Sequence, residues 1–389
     1  MDHTPPKNLE RGGSKSLDAH AAAKLSELEG EALHRGLSET ARIGAVDVIR
    51  DGRRLISFSC NDYLNLSHHP EVMAASREAL ETYGTGAGAS RLVTGNHPLF
   101  AALEERLASI KDTESALVFS SGYLANLGVI PALVGAGDPI LLDELVHSCM
   151  HTGAALSGAE VKRFAHNDTA DLAGALSGGR FNSRNCLILT ETIFSMDGDR
   201  APLAAIADLA EAYDAWLMTD DAHGFGVVPA DPAAARVPLQ MGTLSKAAGA
   251  LGGYLCASRP VVELLVNRAR SLVYSTGLSP ADAGAALKSL EIISEDHVLT
   301  RRPLANARLF AEETGLPPAE SPIVPLVLGD AERALELSER LEAAGFLVTA
   351  IRPPTVPEGT ARLRFTFSAG HGKEHVRALA AAVIEGLLK

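Results

Sequence analysis

Short apolar runs alternate with helical segments through the middle of this chain, and this alternation constrains the fold more than any other feature. Such a pattern predicts a largely parallel sheet with helices on its faces. In sheets of this kind, ligands bind beyond the carboxyl ends of the strands. The predicted strands are 116–119, 139–143, 161–164, 187–191, 216–220 and the segment that enters Lys246; the predicted helices are 122–134, 148–157, 203–213 and 260–270.

The regions on either side of this pattern differ from it in character. Residues 1–20 are polar and contain prolines and glycines, so we expect them to be disordered. Residues 21–59 are expected to form an N-terminal helix (21–36) and a hairpin (46–50 and 55–59). Residues 60–295 are expected to form the large α/β domain. Residues 296–389 are expected to form a smaller α+β domain, with helices near 301–314, 330–344 and 373–388 and strands near 323–328, 347–351 and 362–366.

The composition is that of a soluble globular protein of 389 residues, 46% hydrophobic and 21% charged. A net charge of −13 gives nucleic-acid binding no electrostatic support. The four cysteines follow no disulfide or metal spacing and are expected to be reduced thiols. Neither a secretory signal nor an apolar run of about 18 residues is present, so the sequence predicts a cytoplasmic protein without membrane contact.

Lys246 lies in unusual surroundings for a lysine, in the stretch Met-Gly-Thr-Leu-Ser-Lys-Ala-Ala-Gly that begins at Met241. Small, uncharged neighbours let a planar ligand approach the backbone closely. A lysine in such surroundings loses its proton more easily, which a Schiff-base nucleophile requires. The alternative is a glycine-rich turn with an incidental lysine.

A candidate phosphate site lies where the predicted strand ending at Phe119 passes into a helix through Ser-Ser-Gly-Tyr. Helix N-termini offer free N–H groups and a positive dipole end, which suit a phosphate. The alternative is an ordinary serine N-cap. The glycine-rich segment 84–91 is a loop without the spacing of a dinucleotide fingerprint.

A second candidate site ends the strand 216–220, where Asp220 and Asp221 precede Ala222 and His223. A carboxylate buried at such a strand end requires a cationic partner. A protonated pyridine nitrogen would serve, and the pair would keep that ring electron-withdrawing. The alternative is a metal site formed by Asp220, Asp221 and His223, for which further clustered ligands are not evident.

Two more polar side chains follow predicted strands. Ser195 offers a hydroxyl after the strand 187–191, and His147 follows the strand that ends at Asp143. A histidine in this position is either structural or functional, and the sequence leaves both interpretations open.

These motifs together resemble the α-oxoamine synthases. The likeness is carried by T-L-S-K at Lys246, D-D-A-H at Asp220, F-S-M-D-G-D at Ser195 and F-S-S-G-Y at Gly122, and it extends from Asn61 nearly to the C-terminus. The resemblance implies pyridoxal-phosphate (PLP) fold type I, as in aspartate aminotransferase: a mostly parallel central sheet and a smaller C-terminal α+β domain. It also implies a homodimer with active sites at the interface and no metal.

The resemblance assigns roles residue by residue. Lys246 corresponds to the Schiff-base lysine, Asp220 to the partner of the pyridine nitrogen, His147 to the histidine stacked on the ring and His223 to the one beside its 3-oxygen. Further positions that match cofactor contacts are Gly122, Tyr123, Ser195, Thr243 and Thr276, the last within Tyr274-Ser-Thr-Gly277 that crosses to the neighbouring subunit.

The substrate residues are also assigned by resemblance. Arg364 corresponds to the arginine that binds the amino-acid carboxylate, and Asn61 is a further candidate. The segment Ile351-Arg-Pro-Pro-Thr, with Arg352 and Thr355, resembles the branch of the family that condenses L-alanine with a pimeloyl thioester in biotin biosynthesis. Arg35 matches a substrate arginine, although His34 could align instead.

Alternatives remain open within and beyond this branch. One is acylation of glycine, as by glycine C-acetyltransferase; others are an ordinary aminotransferase and a catalytically silent subunit, which would lack the lysine. Whether the acyl carrier is CoA or a carrier protein stays open. Asn65, Phe100 and Ala248 depart from the family pattern, and Phe100 leaves the packing of its helix open.

Overall fold

A computed structural model describes residues 15–31, 33–178 and 185–388. The strands are β1 Thr40–Arg42, β2 Asp47–Arg50, β3 Arg53–Ser57, β4 Ser115–Phe119, β5 Pro139–Asp143, β6 Glu160–Phe164, β7 Leu187–Glu191, β8 Trp216–Asp220, β9 Leu239–Thr243, β10 Gly253–Ala257, β11 Ile323–Gly329, β12 Phe346–Leu347, β13 Ala350–Ile351 and β14 Ala361–Thr366.

The helices cover most of the remaining described chain. They are α1 Lys15–Gly30, α2 Pro70–Tyr83, α3 Pro98–Lys111, α4 Gly122–Leu133, α5 Ser148–Ser157, α6 Thr169–Gly178, α7 Leu203–Ala212, α8 Arg259–Arg268, α9 Arg270–Val273, α10 Pro280–Glu295, α11 His297–Thr314, α12 Ala331–Ala343 and α13 Lys373–Leu388. Among the described helices, none combines the length and apolar character that crossing a membrane requires.

The central sheet has seven strands in the order β4-β10-β9-β8-β7-β5-β6. All are parallel except β10, which is antiparallel to both of its neighbours. Every residue of β5, β7, β9 and β10 is buried, because helices cover both faces of the sheet. The carboxyl ends of β4, β5, β7, β8 and β9 therefore lie along one edge, where the predicted site residues follow them.

The C-terminal part of the chain forms a smaller unit around a three-stranded antiparallel sheet, β11-β14-β13. Its core is a cluster of aromatic and aliphatic side chains from α11, α12, α13 and these strands. Phe58, which follows β3, belongs to the same core and packs on Phe367 with ring centroids 5.6 Å apart.

This packing brings the predicted N-terminal hairpin into contact with the C-terminal unit. The hairpin of β2 and β3 forms as expected, but β3 also pairs in parallel with β12. The N-terminal hairpin and the C-terminal unit therefore share the four-stranded sheet β1-β2-β3-β12. Strand pairing between segments so distant in the chain leaves no local trace in the sequence.

The N-terminal helix also differs from the prediction. It spans Lys15–Gly30, whereas the sequence predicts 21–36. Residues 15–20 are therefore helical where disorder was expected, and the same expectation for residues 1–14 lies outside the described chain. The helix has no buried residue. The helix begins earlier than predicted because Leu17 and Ala19 extend the run of helix-favouring residues that continues from Ala21.

Two departures from the family pattern have a structural explanation. Asn65 adopts φ 57°, in the left-handed region that asparagine tolerates better than most residues. Its side chain donates to Ala45 O at 2.7 Å and accepts from Gly370 N at 2.6 Å. Phe100 is buried beneath the Arg91 guanidinium, whose Cζ lies 4.2 Å from the ring centroid, so the helix packs well without a histidine there.

Candidate active site

Lys246 follows β9 and is half-buried, with its Nζ 2.8 Å from His223 Nε2. Thr243 shapes the turn before it: its hydroxyl donates to Gly252 O at 2.8 Å and accepts from Ser245 N at 3.2 Å. Burial lowers the pKa of Lys246, against the opposing effect of the nearby Asp220 carboxylate. The neutral amine, which is the nucleophilic form, is therefore a larger fraction of the population here than on a surface lysine.

His223 connects Lys246 to a residue that the motif analysis missed. The Tyr63 hydroxyl lies 2.6 Å from His223 Nδ1, and both side chains are buried. Burial raises the pKa of Tyr63 to about 12, so it remains a neutral phenol. Burial and the Lys246 charge hold the pKa of His223 well below its usual value. A neutral imidazole, fixed in orientation by Tyr63, therefore faces the amine.

Asp220 ends β8 and is buried. Its carboxylate accepts from Asn126 Nδ2 at 3.0 Å and from Ala222 N at 2.9 Å, both neutral donors. Burial raises its pKa, with Lys246 acting in the opposite direction. A buried carboxylate held by neutral donors is stabilised by a further cation, and a protonated ring nitrogen supplies one.

Asp221 lies in a different environment from Asp220. It accepts a hydrogen bond from Thr192 Oγ1 at 2.5 Å and forms an ion pair with Lys111 at the end of α3. Because Asp220, Asp221 and His223 engage separate partners, their side chains are not arranged as ligands around one point. Among the described residues, no group of three or more histidine, cysteine, aspartate or glutamate side chains has metal-binding geometry.

His147 is the N-cap of α5, and its ring is exposed in the single chain. Its Nδ1 accepts from Cys149 N at 3.2 Å and lies 2.8 Å from Cys149 Sγ. Because Nδ1 is an acceptor, the ring proton of the neutral form is on Nε2. The His147 N–H donates to the buried Glu191 carboxyl group at the end of β7, which fixes the start of the helix.

Cys149 completes a chain of contacts between His147 and Asp220. Asn126 Nδ2 lies 3.1 Å from Cys149 Sγ as well as within reach of Asp220. Burial raises the pKa of the Cys149 thiol, so it stays protonated and donates to the His147 ring. His147 and Asp220 are thus connected through Cys149 and Asn126, two residues to which no motif assigned a role.

Arg364 on β14 comes from the C-terminal unit and reaches the same edge of the sheet. Its Nε donates to Ser195 O at 2.5 Å, and its Nη1 donates to Asn61 Oδ1 at 3.1 Å. Its Nη2 is buried and, among the described residues, has no hydrogen-bond partner. A buried guanidinium N–H without an acceptor is costly, and a ligand carboxylate would satisfy it.

The N-terminus of α4 lies beside the lysine turn. Ser121 is an N-cap whose hydroxyl accepts from Leu124 N at 3.2 Å, so the serine-cap interpretation is correct. The N–H groups of Gly122 and Tyr123 still belong to the first turn, which has no intrahelical acceptors. A Cβ on Gly122 would lie 3.2 Å from Thr243 Cβ, a tight contact that a shift of a few tenths of an ångström would have to relieve.

Thr276 lies near this helix within its own chain. Its carbonyl accepts from Ser120 Oγ at 3.2 Å, and it forms an isolated antiparallel bridge with Ser90. The side chains of Tyr123 and Thr276 are exposed. The structure therefore brings the glycine-rich loop, the α4 N-terminus and the segment that contains Thr276 to one exposed surface.

The predicted acyl-substrate residues form a second group. Arg35 Nη2 donates to Thr355 Oγ1 at 3.1 Å, and Arg352 Nη2 donates to the His34 carbonyl at 3.4 Å. Burial and the nearby Arg35 charge lower the pKa of Arg352. Arg35 therefore presents its side chain to this group, whereas His34 contributes a backbone carbonyl. The group is joined to Arg364 through the pairing of β13 with β14.

The family model for aminotransferase class I and II matches residues 53–383. The chain belongs to this family. It is 62% identical over 372 residues to an 8-amino-7-oxononanoate synthase of Methylorubrum extorquens, with 96% of each chain covered. The resemblance to α-oxoamine synthases is therefore confirmed.

Solved structures agree on the fold. A serine palmitoyltransferase from S. paucimobilis with bound PLP has a TM-score of 0.90 and 27% identity, covering 97% of this chain and 100% of that one. The 8-amino-7-oxononanoate synthase of Francisella tularensis has a TM-score of 0.73 and 25% identity, covering 86% and 98%. The predicted PLP fold type I is thus confirmed.

Proposed function

We propose that this chain is a PLP-dependent acyltransferase that condenses L-alanine with a pimeloyl thioester to 8-amino-7-oxononanoate, releasing CO2 and the thiol carrier, in biotin biosynthesis. The observation that carries this proposal is its 62% identity, over nearly the full length of both chains, to an 8-amino-7-oxononanoate synthase. The closer structural likeness to a serine palmitoyltransferase supports the fold rather than the substrate, because one fold hosts different acyl acceptors and donors.

The cofactor is pyridoxal 5'-phosphate, which when bound supplies an electron-withdrawing ring conjugated to the amino group of the substrate. Lys246 would hold it covalently, and Asp220 would pair with the protonated ring nitrogen. His223 would contact the ring 3-oxygen and His147 would stack on the ring, the roles that the resemblance assigns. The remaining contacts are assigned to Ser195, Thr243, Gly122, Tyr123 and, from the neighbouring subunit, Thr276.

Lys246 also moves a proton. With the cofactor and alanine bound, the Lys246 amine would be the general base that takes the α-proton of alanine. Its lowered pKa keeps a fraction of the amine neutral at physiological pH. His223 Nε2 lies 2.8 Å from Nζ and holds the amine in place. Tyr63, a neutral phenol, contacts the other ring nitrogen of His223 and adds no charge beside the amine.

The two arginine sites divide the substrates between them. Arg364, whose Nη2 has no partner among the described residues, binds the alanine carboxylate together with Asn61. Arg352, Thr355 and Arg35 bind the acyl substrate, whose distal carboxylate requires a cation or several donors. Two arginines near each other favour an anionic ligand between them, and burial together with the Arg35 charge lowers the pKa of Arg352.

The assembly and location form part of the proposal. A homodimer would bring Thr276 of one chain to the cofactor of the other. No membrane or nucleic-acid partner is proposed, and the cytoplasmic location stays a prediction.

The test uses alanine labelled at single carbons. With pimeloyl-CoA, label at the methyl carbon is expected in a product of the mass of 8-amino-7-oxononanoate, whereas label at the carboxyl carbon is expected in CO2. A higher kcat/KM for glycine and acetyl-CoA than for alanine and pimeloyl-CoA would refute the proposed substrates and leave only the family assignment. Turnover that requires a 2-oxo acid would instead indicate an aminotransferase. Replacing CoA by a pimeloyl carrier protein in the same assay identifies the preferred carrier.

A further inference from the structure

His166, two residues beyond β6, connects two loops of the site that no assigned residue joins. Its Nδ1 lies 3.0 Å from Asp143 Oδ1, and its Nε2 lies 2.8 Å from Asp199 Oδ2. Ionised carboxylates only accept hydrogen bonds, so with both aspartates ionised both ring nitrogens donate, which only the imidazolium can do. The Phe194 ring meets the imidazole edge-on at 4.3 Å and shields one side of the cluster.

Each carboxylate belongs to a different loop. Asp143 ends β5, is fully buried and accepts from Leu145 N at 2.9 Å; four residues later the same segment reaches His147. Asp199 ends the loop 195–199 and also accepts from Asn167 Nδ2 at 2.8 Å. The imidazolium therefore bridges the loop before α5 and the loop after β7.

The loop 195–199 is held from its other side by β14. Arg364 binds the Ser195 carbonyl, and Arg362 forms an ion pair with Asp197. At Gly198, with φ +73°, a Cβ would lie 2.3 Å from Ile323 O, so the loop lies directly on β11. Its position thus depends on His166 at one end and on β11 and β14 at the other.

We propose that His166 is a positioning residue: as an imidazolium shared by Asp143 and Asp199, it sets the loop 195–199 so that Ser195 meets the cofactor and Arg364 meets the amino-acid carboxylate. This inference rests on the proposed function, because Ser195 and Arg364 take their roles from it.

The charged groups around the His166 ring favour the imidazolium that bridges Asp143 and Asp199. Burial opposes the charged form, but the hydrogen bonds and charges of Asp143 and Asp199 prevail and raise the pKa of His166 to about 10. The neighbouring Glu144 accepts from His166 N at 3.1 Å and adds a third carboxylate. Arg200, the cation next to Asp199, directs its guanidinium to Pro229 O and leaves the cluster negative.

The first test is direct and needs no substrate. In the holoenzyme labelled with 15N at histidine, NMR at pH 8 is expected to show one imidazole with both nitrogens protonated. That signal is expected to vanish in His166→Gln and to persist in His20→Gln, which removes an exposed histidine from α1. If every histidine carries a single ring proton at pH 8, the shared imidazolium does not exist and the proposal fails.

The second test measures the consequence. His166→Gln is expected to raise KM for L-alanine about tenfold, because the loop that positions Arg364 loses its charged hydrogen bonds, and to change KM for pimeloyl-CoA by less than about twofold. Asp199→Asn is expected to act in the same direction, and His20→Gln to have no effect. Equal rises in both KM values would indicate general disruption and overturn the positioning role.

The cofactor provides a readout that separates this inference from the proposed reaction. His166→Gln is expected to weaken PLP binding about tenfold through the displaced Ser195, measured by equilibrium dialysis of the cofactor. If the wild-type chain does not condense alanine with the pimeloyl thioester, the proposed function fails, and the PLP affinity still decides the role of His166. Unchanged PLP and alanine binding in His166→Gln would refute it.

Discussion

At the scale of single residues, Lys246 has a role that no other described amine can take over, because its Nζ lies beside the buried His223 and near Asp220. We predict that Lys246→Ala abolishes the visible absorbance of covalently bound cofactor and lowers turnover by at least about a thousandfold. Absorbance spectra and mass spectrometry after borohydride reduction check this. Lys288→Ala, which changes a surface lysine, is the control. Reductive labelling of a different lysine would contradict the assignment.

Substitutions of Arg364 and Arg352 should raise KM for different substrates. Loss of one partner of a desolvated charge pair costs about 2–5 kcal/mol, so Arg364→Ala is expected to raise KM for alanine by at least about thirtyfold and to spare the acyl substrate. Arg352 is less buried, so Arg352→Ala is expected to raise KM for pimeloyl-CoA by about tenfold and to leave alanine nearly unchanged. The opposite pattern in steady-state kinetics would mean that the two sites have been exchanged.

Candidate site residues that follow strands can be named from the sequence more readily than residues whose contacts come from segments far apart in the chain. Lys246, Asp220 and His147 could be named because each stands at a recognisable strand end. Asn126 could not, since its partner Asp220 is 94 residues away. Its one available signal was an amide within the apolar helix α4, which has no other reason to be there. Tyr63 and Cys149 likewise depend on packing between distant segments.

At the scale of elements, the contact between β3 and the C-terminal unit contains a buried histidine. His371 stacks on Phe58 with centroids 4.1 Å apart, accepts from Ser368 N at 2.9 Å through Nδ1 and donates from Nε2 to Ser57 O at 3.0 Å. Burial lowers the pKa of His371 to about 4. The neutral ring thus joins the N-terminal hairpin to the C-terminal core.

This histidine should make the protein sensitive to acid. Below about pH 6.5 the unfolded chain takes up a proton that the native ring resists, so the free energy of unfolding falls between pH 6.5 and 4, by about 3 kcal/mol in total. Urea unfolding at pH 7.5 and 4.5 should show a loss about 2–3 kcal/mol smaller in His371→Gln than in wild type. His297→Gln, at an exposed histidine, should match wild type. Equal losses in all three proteins would exclude this linkage.

The elements differ in how far the sequence could predict them. Strands β5, β7 and β8 have the predicted bounds, because each is a buried apolar run between turn signals. Helices α6, α9 and α10 and strands β1 and β10 were missed. In α10, the buried residues 283–286 are alanines and a glycine that pack tightly against α2, so large apolar side chains mark only the second half of its buried face. The pairing of β10 with β4 is set by contacts between segments far apart in the chain.

At the scale of the whole molecule, one surface of the single chain exposes large apolar side chains to solvent. The loop 84–97 lies against the segment 274–277 through the hydrogen bond from Gly277 N to Ala89 O, 3.0 Å long. Two apolar side chains stand out from this surface: Val93 is 73% exposed and Tyr274 is 73% exposed. The segment 274–277 also contacts the residue before the α4 N-cap, because the Ser120 hydroxyl donates to Thr276 O at 3.2 Å, and the α4 N-terminus is proposed to hold the phosphate. Exposed apolar groups beside a ligand site are typical of an interface.

We therefore predict that the active species is a dimer joined across this surface. Val93→Asp places a charge in the proposed interface and is expected to shift the protein toward monomer, with PLP affinity falling by at least about tenfold, because Thr276 of the neighbouring chain is then lost from the site. Val298→Asp is the matched control, since Val298 is 67% exposed on α11. Sedimentation velocity and PLP titration measure both effects. A wild-type chain that sediments as a monomer of 40.8 kDa with full activity would exclude a shared site, and equal effects of the two substitutions would place the interface elsewhere.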